Sequence, residues 1–397
     1  QRRRRHPCLC ELSFSSNAQA IYLFLIRFML SFWEKDLFDH HFDCIVIGAG
    51  FTGINMALAF KQKFSAASVL VVDDGAGFKG ASTKNAGFAC YGSPSELISD
   101  MALMGEEAAL ELLGRRRKGI EAIERFCHGT GIYVKSRAYE VFLERNSELY
   151  EKSRTSVKQL NRLVKDATGM ESVYLLKSTN QVSKAIGTIE VQGEGQVQPA
   201  ALRSKLYKEA LNLGIRFCDA RAMAIENRDF SGAAVRLANG LELKSKWLVN
   251  CVNGFNNSLT NNTLVAPARA QVLITSEIEN LPYSGNYHMD EGYFYFRNVG
   301  RRLLLGGGRN LAFKEETTDR IALNPLIQSA LKSMLKSELL PGYEFKVTDQ
   351  WAGIMGMRSD KSPGIEREGN CLSIVGLSGM GVALSFYLPQ LALKQME

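Results

Sequence analysis

A short apolar run that leads directly into closely spaced glycines constrains the fold of this chain more than any other feature. The segment 43–47 enters Gly48-x-Gly50-x-x-Gly53, and an apolar, helix-like segment continues to Lys61. In such a motif the first glycine permits a tight turn, the second lets the backbone approach a pyrophosphate, and the third lets the helix pack closely on the strand. The motif therefore predicts a strand, a phosphate-binding loop and a helix whose free N–H groups face the phosphate.

A second buried-strand pattern strengthens this prediction. The apolar segment 68–72 is followed by Asp73, which lies 20 residues beyond Gly53, where a ribose-binding carboxylate is expected. Asp74 is adjacent, and the spacing leaves the choice between the two carboxylates open. Together the two strands and the intervening helix predict a βαβ unit that binds a dinucleotide.

The composition is that of an ordinary soluble globular protein. The chain has 397 residues, 46% of them hydrophobic and 22% charged, and its length suggests two or three domains. Of the net charge of +7, five arginines and one glutamate before residue 29 supply +4, which leaves only +3 for the remainder. The basic cluster 115–118 has helical spacing and no interleaved aromatic residues, as is typical of a solvated helix face. No nucleic-acid surface is predicted.

The cysteines and histidines show no metal-binding pattern. Eight cysteines are scattered along the chain, and Cys44 and Cys251 lie within apolar, strand-like runs where a cysteine acts as a small buried hydrophobe. Reduced thiols and a cytoplasmic location are therefore expected. The five histidines include no His-x-x-x-His spacing, so no metal site is predicted. His288 is expected to lie in a surface loop.

The first 28 residues differ from the rest of the chain. Four consecutive arginines from Arg2 precede the apolar stretch 21–30, which Arg27 interrupts. A basic segment before an apolar run is similar to a signal peptide, but no small-x-small cleavage site follows, and the stretch is too short to span a membrane. We expect residues 1–28 to be a non-native or disordered extension before a start at Met29. Membrane targeting is the alternative, and no stable membrane insertion is expected.

Helical and strand-like segments alternate along the rest of the chain. Helical periodicity predicts helices at 94–125, 144–165, 198–211 and 319–337. β-prone segments bounded by turn residues predict strands at 187–191, 214–218, 222–225, 233–237 and 246–252, and successive antiparallel strands within 268–309.

These elements predict an α/β plus α+β fold with one discontinuous domain. The helices after residue 95 cannot belong to the first βαβ unit, so the chain is expected to leave that domain and return to it. A Rossmann-like nucleotide-binding domain is expected from 40–95, 181–260 and 345–397, and a second domain with a mixed antiparallel sheet from 96–180 and 261–344.

Three further motifs follow the glycine loop and Asp73 in order: the segment 80–87, Gly-Ala-Ser-Thr-Lys-Asn-Ala-Gly; Trp351-x-Gly353, with Asp360 and Pro363 after it; and the glycine-rich segment 375–383. In this combination the chain resembles the superfamily of FAD-dependent amine oxidoreductases that includes D-amino-acid oxidase, glycine oxidase and sarcosine oxidase, from about residue 32 to the C-terminus. The resemblance implies FAD in the discontinuous domain, bound by residues of these motifs: Gly48, Gly50, Gly53, Asp73, Asp74, Ser82, Thr83, Asn85, Ala86, Gly87, Gly353, Gly376, Ser378, Gly379, Met380 and Gly381.

The resemblance also implies the reaction. A hydride would pass from the carbon that carries a neutral amine to the flavin, and the resulting imine would be hydrolysed by water. A desolvated pocket would favour the neutral amine. Dioxygen or another electron acceptor would then reoxidise the flavin. The attachment residues used for covalent flavin are absent, because no cysteine lies near Met357 and no histidine lies beside the first glycine loop. Non-covalent FAD is expected.

The segment Tyr293-x-Tyr295-x-Arg297 supplies the predicted catalytic and substrate-contacting residues. Its alternating spacing puts all three side chains on one face of a strand. The resemblance implies that this strand faces the flavin and that tyrosines enclose the substrate, whereas a solvent-exposed strand face is the alternative interpretation. Arg269 and Arg309 are weaker candidates for a substrate contact.

One position departs from the pattern of amino-acid-oxidising members. Where they often have Gly-Leu-Arg-Pro, this chain has the segment 353–356, Gly-Ile-Met-Gly, so Met355 replaces an arginine that would bind an α-carboxylate. A thioether cannot form the bidentate pair used in carboxylate recognition. The segment is similar to the branch typified by γ-glutamylputrescine oxidase, whose substrates are amines, although Arg297 or Arg309 could supply a carboxylate contact instead.

Three alternative functions stay open at this point. The first βαβ unit also allows an NAD(P)-linked dehydrogenase, although such an enzyme would not explain the motifs at 80–87 and 375–383. A 2-hydroxy acid is another substrate compatible with the superfamily. A non-catalytic flavin-binding subunit is compatible with Met355.

Overall fold

A computed structural model of the chain describes residues 31–33, 41–75, 78–177, 182, 184–228, 232–260 and 264–396. The predicted extension at residues 1–28 lies outside the described residues. Within these ranges, none of the helices has the length and apolar character needed to cross a membrane.

Nineteen strands are present in the described part of the chain. In chain order they are β1 (His41–Ile47), β2 (Val69–Asp73), β3 (Phe88–Ala89), β4 (Tyr133–Lys135), β5 (Ala138–Leu143), β6 (Tyr174–Lys177), β7 (Ala185–Val191), β8 (Gly195–Val197), β9 (Arg216–Asp219), β10 (Ala222–Asn227), β11 (Ala233–Leu237), β12 (Glu242–Asn250), β13 (Ala266–Thr275), β14 (Asn286–Met289), β15 (Phe294–Val299), β16 (Arg302–Gly307), β17 (Val347–Met357), β18 (Gly364–Glu368) and β19 (Cys371–Val375).

The α-helices are α1 (Phe51–Lys63), α2 (Pro94–Met104), α3 (Glu106–Phe126), α4 (Ser147–Thr168), α5 (Pro199–Asn212), α6 (Pro325–Met334), α7 (Gly381–Leu384) and α8 (Leu388–Leu393).

Two helix predictions need correction. The predicted helix at 94–125 is two helices, because Gly105 adopts a positive φ of 88° between them. The predicted helix at 319–337 begins only at Pro325, where the side chain of Asn324 caps it by accepting a hydrogen bond of 3.0 Å from Leu326 N. A single π-helical turn, Leu335–Leu339, then continues it.

The first sheet has a parallel centre, in the order β19-β12-β1-β2-β9. Strands β11 and β10 add to it in antiparallel fashion, as does β18 beside β19. Its central strands are apolar on both faces: Ile45, Val46, Val71 and Leu248 are almost fully buried. Burying such a side chain stabilises the fold by about 1.5–3 kcal/mol. Because these strands are buried on both faces, their sequences are continuous apolar runs.

Because the central strands are parallel, their carboxyl ends meet at one edge of the sheet. Gly48 follows β1, Asp73 ends β2, Cys251 follows β12 and Gly376 follows β19. Ligands of open α/β sheets bind in the crevice outside this edge. Four segments that lie far apart in the sequence are thus brought to a single place.

The second sheet has the order β17-β13-β16-β15-β14-β5-β7-β6. All its neighbours are antiparallel except β14 and β5, and the predicted antiparallel strands within 268–309 are confirmed. Strands β7 and β17 also belong to this sheet, although the predicted boundaries assign their residues to the nucleotide-binding domain. Their pairing partners, β5 and β13, decide this membership, because β-strands must complete their hydrogen bonds with a neighbour.

A small apolar cluster joins the loop after residue 80 to the second sheet. Ala86 packs with Val272 and Leu304, and Trp351 lies beside them. The indole N–H of Trp351 donates a hydrogen bond of 2.8 Å to the carbonyl oxygen of Lys84. These contacts hold the 81–88 loop between the two sheets, where both cavities described below begin.

Candidate active site

A cavity of about 420 Å³ lies at the carboxyl edge of the first sheet. Its walls come from the loops that follow β1, β2, β12 and β19, together with the loop after residue 80. Nine of the predicted cofactor-binding residues line it, namely Gly48, Gly50, Asp73, Asp74, Ser82, Asn85, Ser378, Gly379 and Gly381. The fold therefore brings three distant motifs around one space.

The glycine loop leaves no space for a side chain at Gly48 or at Gly53. Gly48 has a φ of +105°, and a Cβ there would lie 2.9 Å from the carbonyl oxygen of Cys251. Gly53 lies in the first turn of α1, where a Cβ would come within 1.8 Å of the Gly48 carbonyl oxygen. The third glycine therefore serves the packing of helix on loop and does not line the cavity. The first turn of α1 contains no acidic residue, so its positive end is available to an anion.

The two neighbouring carboxylates after β2 have different surroundings. Asp73 Oδ2 accepts a hydrogen bond of 2.7 Å from Ala49 N, so Asp73 is tied to the glycine loop. Asp74 forms an exposed ion pair of 2.8 Å with Lys79. Both line the cavity, but the geometry favours Asp73 as the residue fixed for ligand binding.

The loop at 81–87 is held by its own side chains. Ser82 Oγ accepts a hydrogen bond of 2.8 Å from Phe51 N at the start of α1. Asn85 Nδ2 donates to Ser82 O at 2.8 Å, and Asn85 Oδ1 accepts from Gly87 N at 2.8 Å. Thr83 and Gly87 line neither this cavity nor the second one. Gly87 N takes part in the loop's own hydrogen bonding, and the cofactor contacts of Thr83 and Gly87 stay predictions.

The C-terminal glycine turn is fixed by a residue that the sequence analysis did not single out. Asn253 Oδ1 accepts hydrogen bonds from Gly376 N at 3.0 Å and from Leu377 N at 3.2 Å. Gly376 itself lines neither cavity. Asn253 lies three residues after the end of the buried strand β12, and its position in the loop after a parallel strand is the signal that could have identified it.

A second cavity, of about 260 Å³, adjoins the first and is called the chamber below. Six residues line both spaces: Ala81, Asn85, Met355, Ser378, Gly379 and Val382. Three more predicted cofactor-binding residues, Ala86, Gly353 and Met380, line the chamber alone. The two cavities therefore adjoin each other at the C-terminal glycine turn.

The three predicted catalytic residues occupy three different environments. Tyr295 lies on β15 and lines the chamber, and its ring contacts that of Phe88. Tyr293 also lines the chamber, but it precedes β15 in a turn and is 39% exposed.

Arg297 lies outside the lining of the chamber. The loop at Gly87 covers it, since a Cβ on Gly87 would come within 2.7 Å of Arg297 Nη2. That nitrogen donates a hydrogen bond of 3.2 Å to Val197 O, and burial lowers the pKa of the guanidinium to about 10. Arg297 is therefore not placed for the predicted direct contact with a substrate in the chamber.

Arg269 and Arg309, the two weaker candidates for a substrate contact, lie in different environments. Arg269 is buried in a two-point ion pair with Glu316, with distances of 2.7 Å and 2.8 Å, and lines neither cavity. Arg309 lines the chamber, is half-buried, and lies over the ring of Phe313. Its Nε is buried and has no hydrogen-bond partner, and burial lowers the pKa of its guanidinium. Arg309 is therefore the arginine placed to meet a ligand anion.

The expectation of a surface position for His288 is wrong. His288 lies on β14, is only 3% exposed and lines the chamber. Its Nε2 is 3.1 Å from the buried carboxylate of Glu194, and its Nδ1 is 3.7 Å from Glu96. Burial by itself lowers the pKa of His288, but the attraction of these carboxylates and of Glu140 outweighs it and raises the pKa to about 9. The neighbouring carboxylates thus favour the protonated form of His288.

Glu140 on β5 belongs to the same buried group. Its side chain accepts hydrogen bonds from Ser95 N at 3.1 Å and from the Ser95 hydroxyl group. Burial raises the pKa of Glu140 to about 7, although the bonds from Ser95 oppose this rise. The wall of the chamber therefore adjoins a carboxyl group that holds its proton to neutral pH.

These two shifts predict that the protein loses stability as the pH rises. Each folded-state pKa is raised, so each contribution is complete below the unfolded-state pKa: about 4.5 for Glu140 and about 6.5 for His288. Each contribution, on the order of 3 kcal/mol, is lost as the pH rises through about 7 for Glu140 and about 9 for His288. Thermal unfolding midpoints of the holoenzyme measured from about pH 5 to about pH 10 should fall in two stages. In Glu140→Gln the earlier stage should disappear, and an unchanged first stage would contradict the assignment.

Sequence reasoning missed two further charged residues of the chamber, Glu96 and Lys361. Ser93-Pro-Ser-Glu96 is a helix-start signature, which indicates α2 but no site. Lys361 pairs with Asp100 at 2.8 Å across 261 residues of sequence. Nothing local in the sequence indicates either contact. Among the described residues, no group of three or more histidine, cysteine, aspartate or glutamate side chains is placed to hold a metal ion.

Known proteins share the sequence features and the architecture of this chain. A family model described as FAD dependent oxidoreductase matches residues 43–392. A comparison with curated protein sequences finds no match. Among solved structures, glycine oxidase from Geobacillus kaustophilus is 16% identical, covers 90% of this chain and 94% of its own, and superposes with a TM-score of 0.68.

Two further structures agree. L-amino acid deaminase from Proteus vulgaris, with its specific insertion sequence deleted, is 18% identical, with 89% of each chain covered and a TM-score of 0.67. L-proline dehydrogenase from P. horikoshii is 13% identical, with 90% of this chain and 93% of its own covered and a TM-score of 0.70. At such identities these likenesses show the fold, and they confirm the predicted Rossmann-like domain with a second mixed sheet.

Proposed function

Because the chain belongs to the DAO family of FAD-dependent oxidoreductases, we propose that it oxidises the carbon–nitrogen bond of an amine or amino acid to an imine. The family membership makes it a flavoenzyme with FAD as its cofactor, and it confirms the resemblance inferred from the sequence motifs. The reaction on a C–N bond, the substrate class and the residues that act on it are the proposal.

The residues of the first cavity fit FAD. The glycine loop leaves space for a pyrophosphate at the start of α1, and no acidic side chain in that turn would repel it. We assign Asp73 to the ribose, and Ser82 and the turn at 378–381 to the cofactor beyond the pyrophosphate. When bound, FAD supplies the hydride acceptor of the reaction. The binding is proposed to be non-covalent.

The observation that carries the proposal is that the chamber adjoins the FAD cavity and shares part of its lining. The six shared lining residues include Ser378 and Gly379 of the C-terminal turn, so a molecule in the chamber would lie against whatever the turn holds. Tyr295 and Met355 give the chamber apolar walls. Apolar surface of this kind disfavours the charged form of an amine beside it, which supports oxidation of a neutral amine.

Arg309 favours a substrate that carries a carboxylate. It supplies a cation to the chamber although Met355 stands where related enzymes have an arginine. Arg309 lines the chamber and is half-buried, and a bound carboxylate would form charge-assisted hydrogen bonds with its guanidinium. We therefore propose an amino acid rather than a simple amine as the substrate, bound through Arg309.

Other parts of the sequence interpretation stay proposals. We propose that the first sheet and its loops form the FAD-binding domain and that the second sheet, including β7 and β17, forms the substrate domain. Six cysteines in the described part of the chain are free thiols, and five of them are buried, which supports a reducing, cytoplasmic setting. Dioxygen or another carrier would accept the electrons.

Absorption spectroscopy of the purified protein tests the proposal. We expect a flavin spectrum, release of FAD on acid precipitation, and bleaching on anaerobic mixing with at least one amino acid. A suitable panel contains glycine, sarcosine, both enantiomers of alanine and of proline, putrescine, and lactate as the hydroxy-acid arm. Bleaching by lactate alone would replace the amine reaction with hydroxy-acid oxidation, and no bleaching by any member would contradict the proposed reaction.

A further inference from the structure

Two acid–base groups of the chamber are not used in the function proposed above. Glu96 from the first turn of α2 and His288 from β14 both line the chamber. We propose that Glu96 is the catalytic residue that accepts a proton from the ammonium group of the substrate, with His288 and Glu194 as positioning residues behind it. This inference rests on the proposed function, because it concerns the same reaction in the same chamber.

Amine oxidation requires such a step. An aliphatic amine is protonated at neutral pH, as the lysine pKa of about 10.4 illustrates, and a protonated nitrogen has no lone pair to form the imine. In the proposed step an N–H bond of the ammonium group breaks, its electrons become the nitrogen lone pair, and the proton forms an O–H bond on Glu96. The step consumes no oxidant, and it leaves the neutral amine ready for hydride loss.

The carboxylate of Glu96 is held at the chamber wall by contacts on two sides. Its Oε2 accepts a hydrogen bond of 2.8 Å from Ser93 N at the start of α2. Its Oε1 lies against Gly292, where a Cβ would come within 2.1 Å of that oxygen. The side chain keeps 13% exposure, so it reaches the chamber although it is fixed. A group placed in this way needs little reorganisation to receive a proton.

The surrounding charges leave Glu96 available to a cationic ligand. His288 Nδ1 lies 3.7 Å from Glu96, but His288 is paired more closely with Glu194, at 3.1 Å. Asp100, the next carboxylate of the lining, is paired with Arg116 at 3.3 Å and with Lys361 at 2.8 Å. The other titratable groups that face the cluster are Glu140, Cys90, Tyr91, Tyr174 and Tyr295, with Glu291 exposed beside Gly292.

The variant Glu96→Gln tests the proposal because it keeps the size of the side chain but removes the proton-accepting carboxylate, and with it one charge 3.7 Å from His288. The glutamine oxygen can still accept from Ser93 N, so the start of α2 is preserved. The holoenzyme would be reduced anaerobically by the panel member that bleaches the wild type fastest, at a series of pH values. We expect the second-order rate of flavin reduction to fall about 100-fold at neutral pH. The loss should shrink about tenfold per pH unit towards the amine pKa, because only amine that is already neutral in solution can react.

Two further variants make the test specific. Glu148→Gln removes an exposed acid from the first turn of α4, where it has the same chemistry but lies outside both cavities, and it should keep the wild-type pH profile. Glu194→Gln removes the partner of His288 and should move the pH profile without abolishing reduction. FAD content and thermal unfolding of each holoenzyme show whether the variant is folded.

The outcomes separate this inference from the proposed function. If the wild type is bleached and Glu96→Gln has either an unchanged profile or an equal loss at every pH, the proton-accepting role is overturned while amine oxidation stands. If no panel member bleaches the wild type, the proposed function fails and this inference fails with it.

Discussion

Replacement of Gly53 by alanine is expected to abolish FAD retention. The new Cβ would lie 1.8 Å from the carbonyl oxygen of Gly48, and this contact is with backbone that cannot rotate away. Helix α1 would have to move off the glycine loop, which costs about 3 kcal/mol or more. A loss of that size weakens cofactor binding by about 100-fold. The ratio of flavin to protein absorbance after gel filtration measures the effect.

Gly114→Ala is the matched control for this prediction. Gly114 also lies within a helix, α3, but its Cβ would meet only Thr168 Cγ2 at an ordinary distance of 3.7 Å. Since glycine inside a helix is less favourable than alanine by about 0.5–1 kcal/mol, this variant should be as stable as the wild type or slightly more so. It should retain full FAD. Equal flavin content in the two variants would show that the close approach at Gly53 does not matter.

Replacement of Arg309 by methionine is expected to lower kcat/KM for an amino-acid substrate by about 100-fold. Methionine retains an apolar chain against Phe313 but removes the donors that would bind a carboxylate, and such charge-assisted bonds contribute about 1.5–3 kcal/mol. The effect should be confined to substrates that carry a carboxylate. Steady-state kinetics with an amino acid and with its decarboxylated amine measure this difference.

Arg301→Met serves as the control for the loss of a cation. Arg301 is 69% exposed, pairs with Glu277 and lines neither cavity, so its replacement should leave both substrates within about twofold. If Arg309→Met instead slows the amino acid and the amine equally, Arg309 supports the chamber wall and does not recognise a carboxylate.

The sequence predicts those parts of the site that depend on local geometry. The turn at Gly48, the packing of Gly53 and the carboxylate at Asp73 lie within about 30 residues, and their spacing is dictated by the βαβ unit itself. The antiparallel strands within 268–309 are predicted for the same reason, because turn residues separate β-prone runs of suitable length.

Arg297 illustrates where such reasoning ends. Because side chains alternate along a strand, the spacing correctly predicts that Tyr295 and Arg297 lie on the same face of β15. Whether a side chain on that face meets a cavity depends on what covers it, and the Gly87 loop, over 200 residues earlier in the chain, covers Arg297. Tyr293 lies outside β15, since the strand begins one residue after it, and it nevertheless lines the chamber.

By itself, the sequence determined that this chain forms a nucleotide-binding βαβ unit joined to an antiparallel sheet, because periodicity and turn geometry act between near neighbours. Only the tertiary structure decided the content of the chamber. Glu96, His288 and Arg309 come from three segments with no common motif, and they meet because β14, the loop after β16 and α2 pack around one space. Nearby carboxylates raise the pKa of His288 and burial raises the pKa of Glu140, and no local pattern in the sequence could indicate either shift.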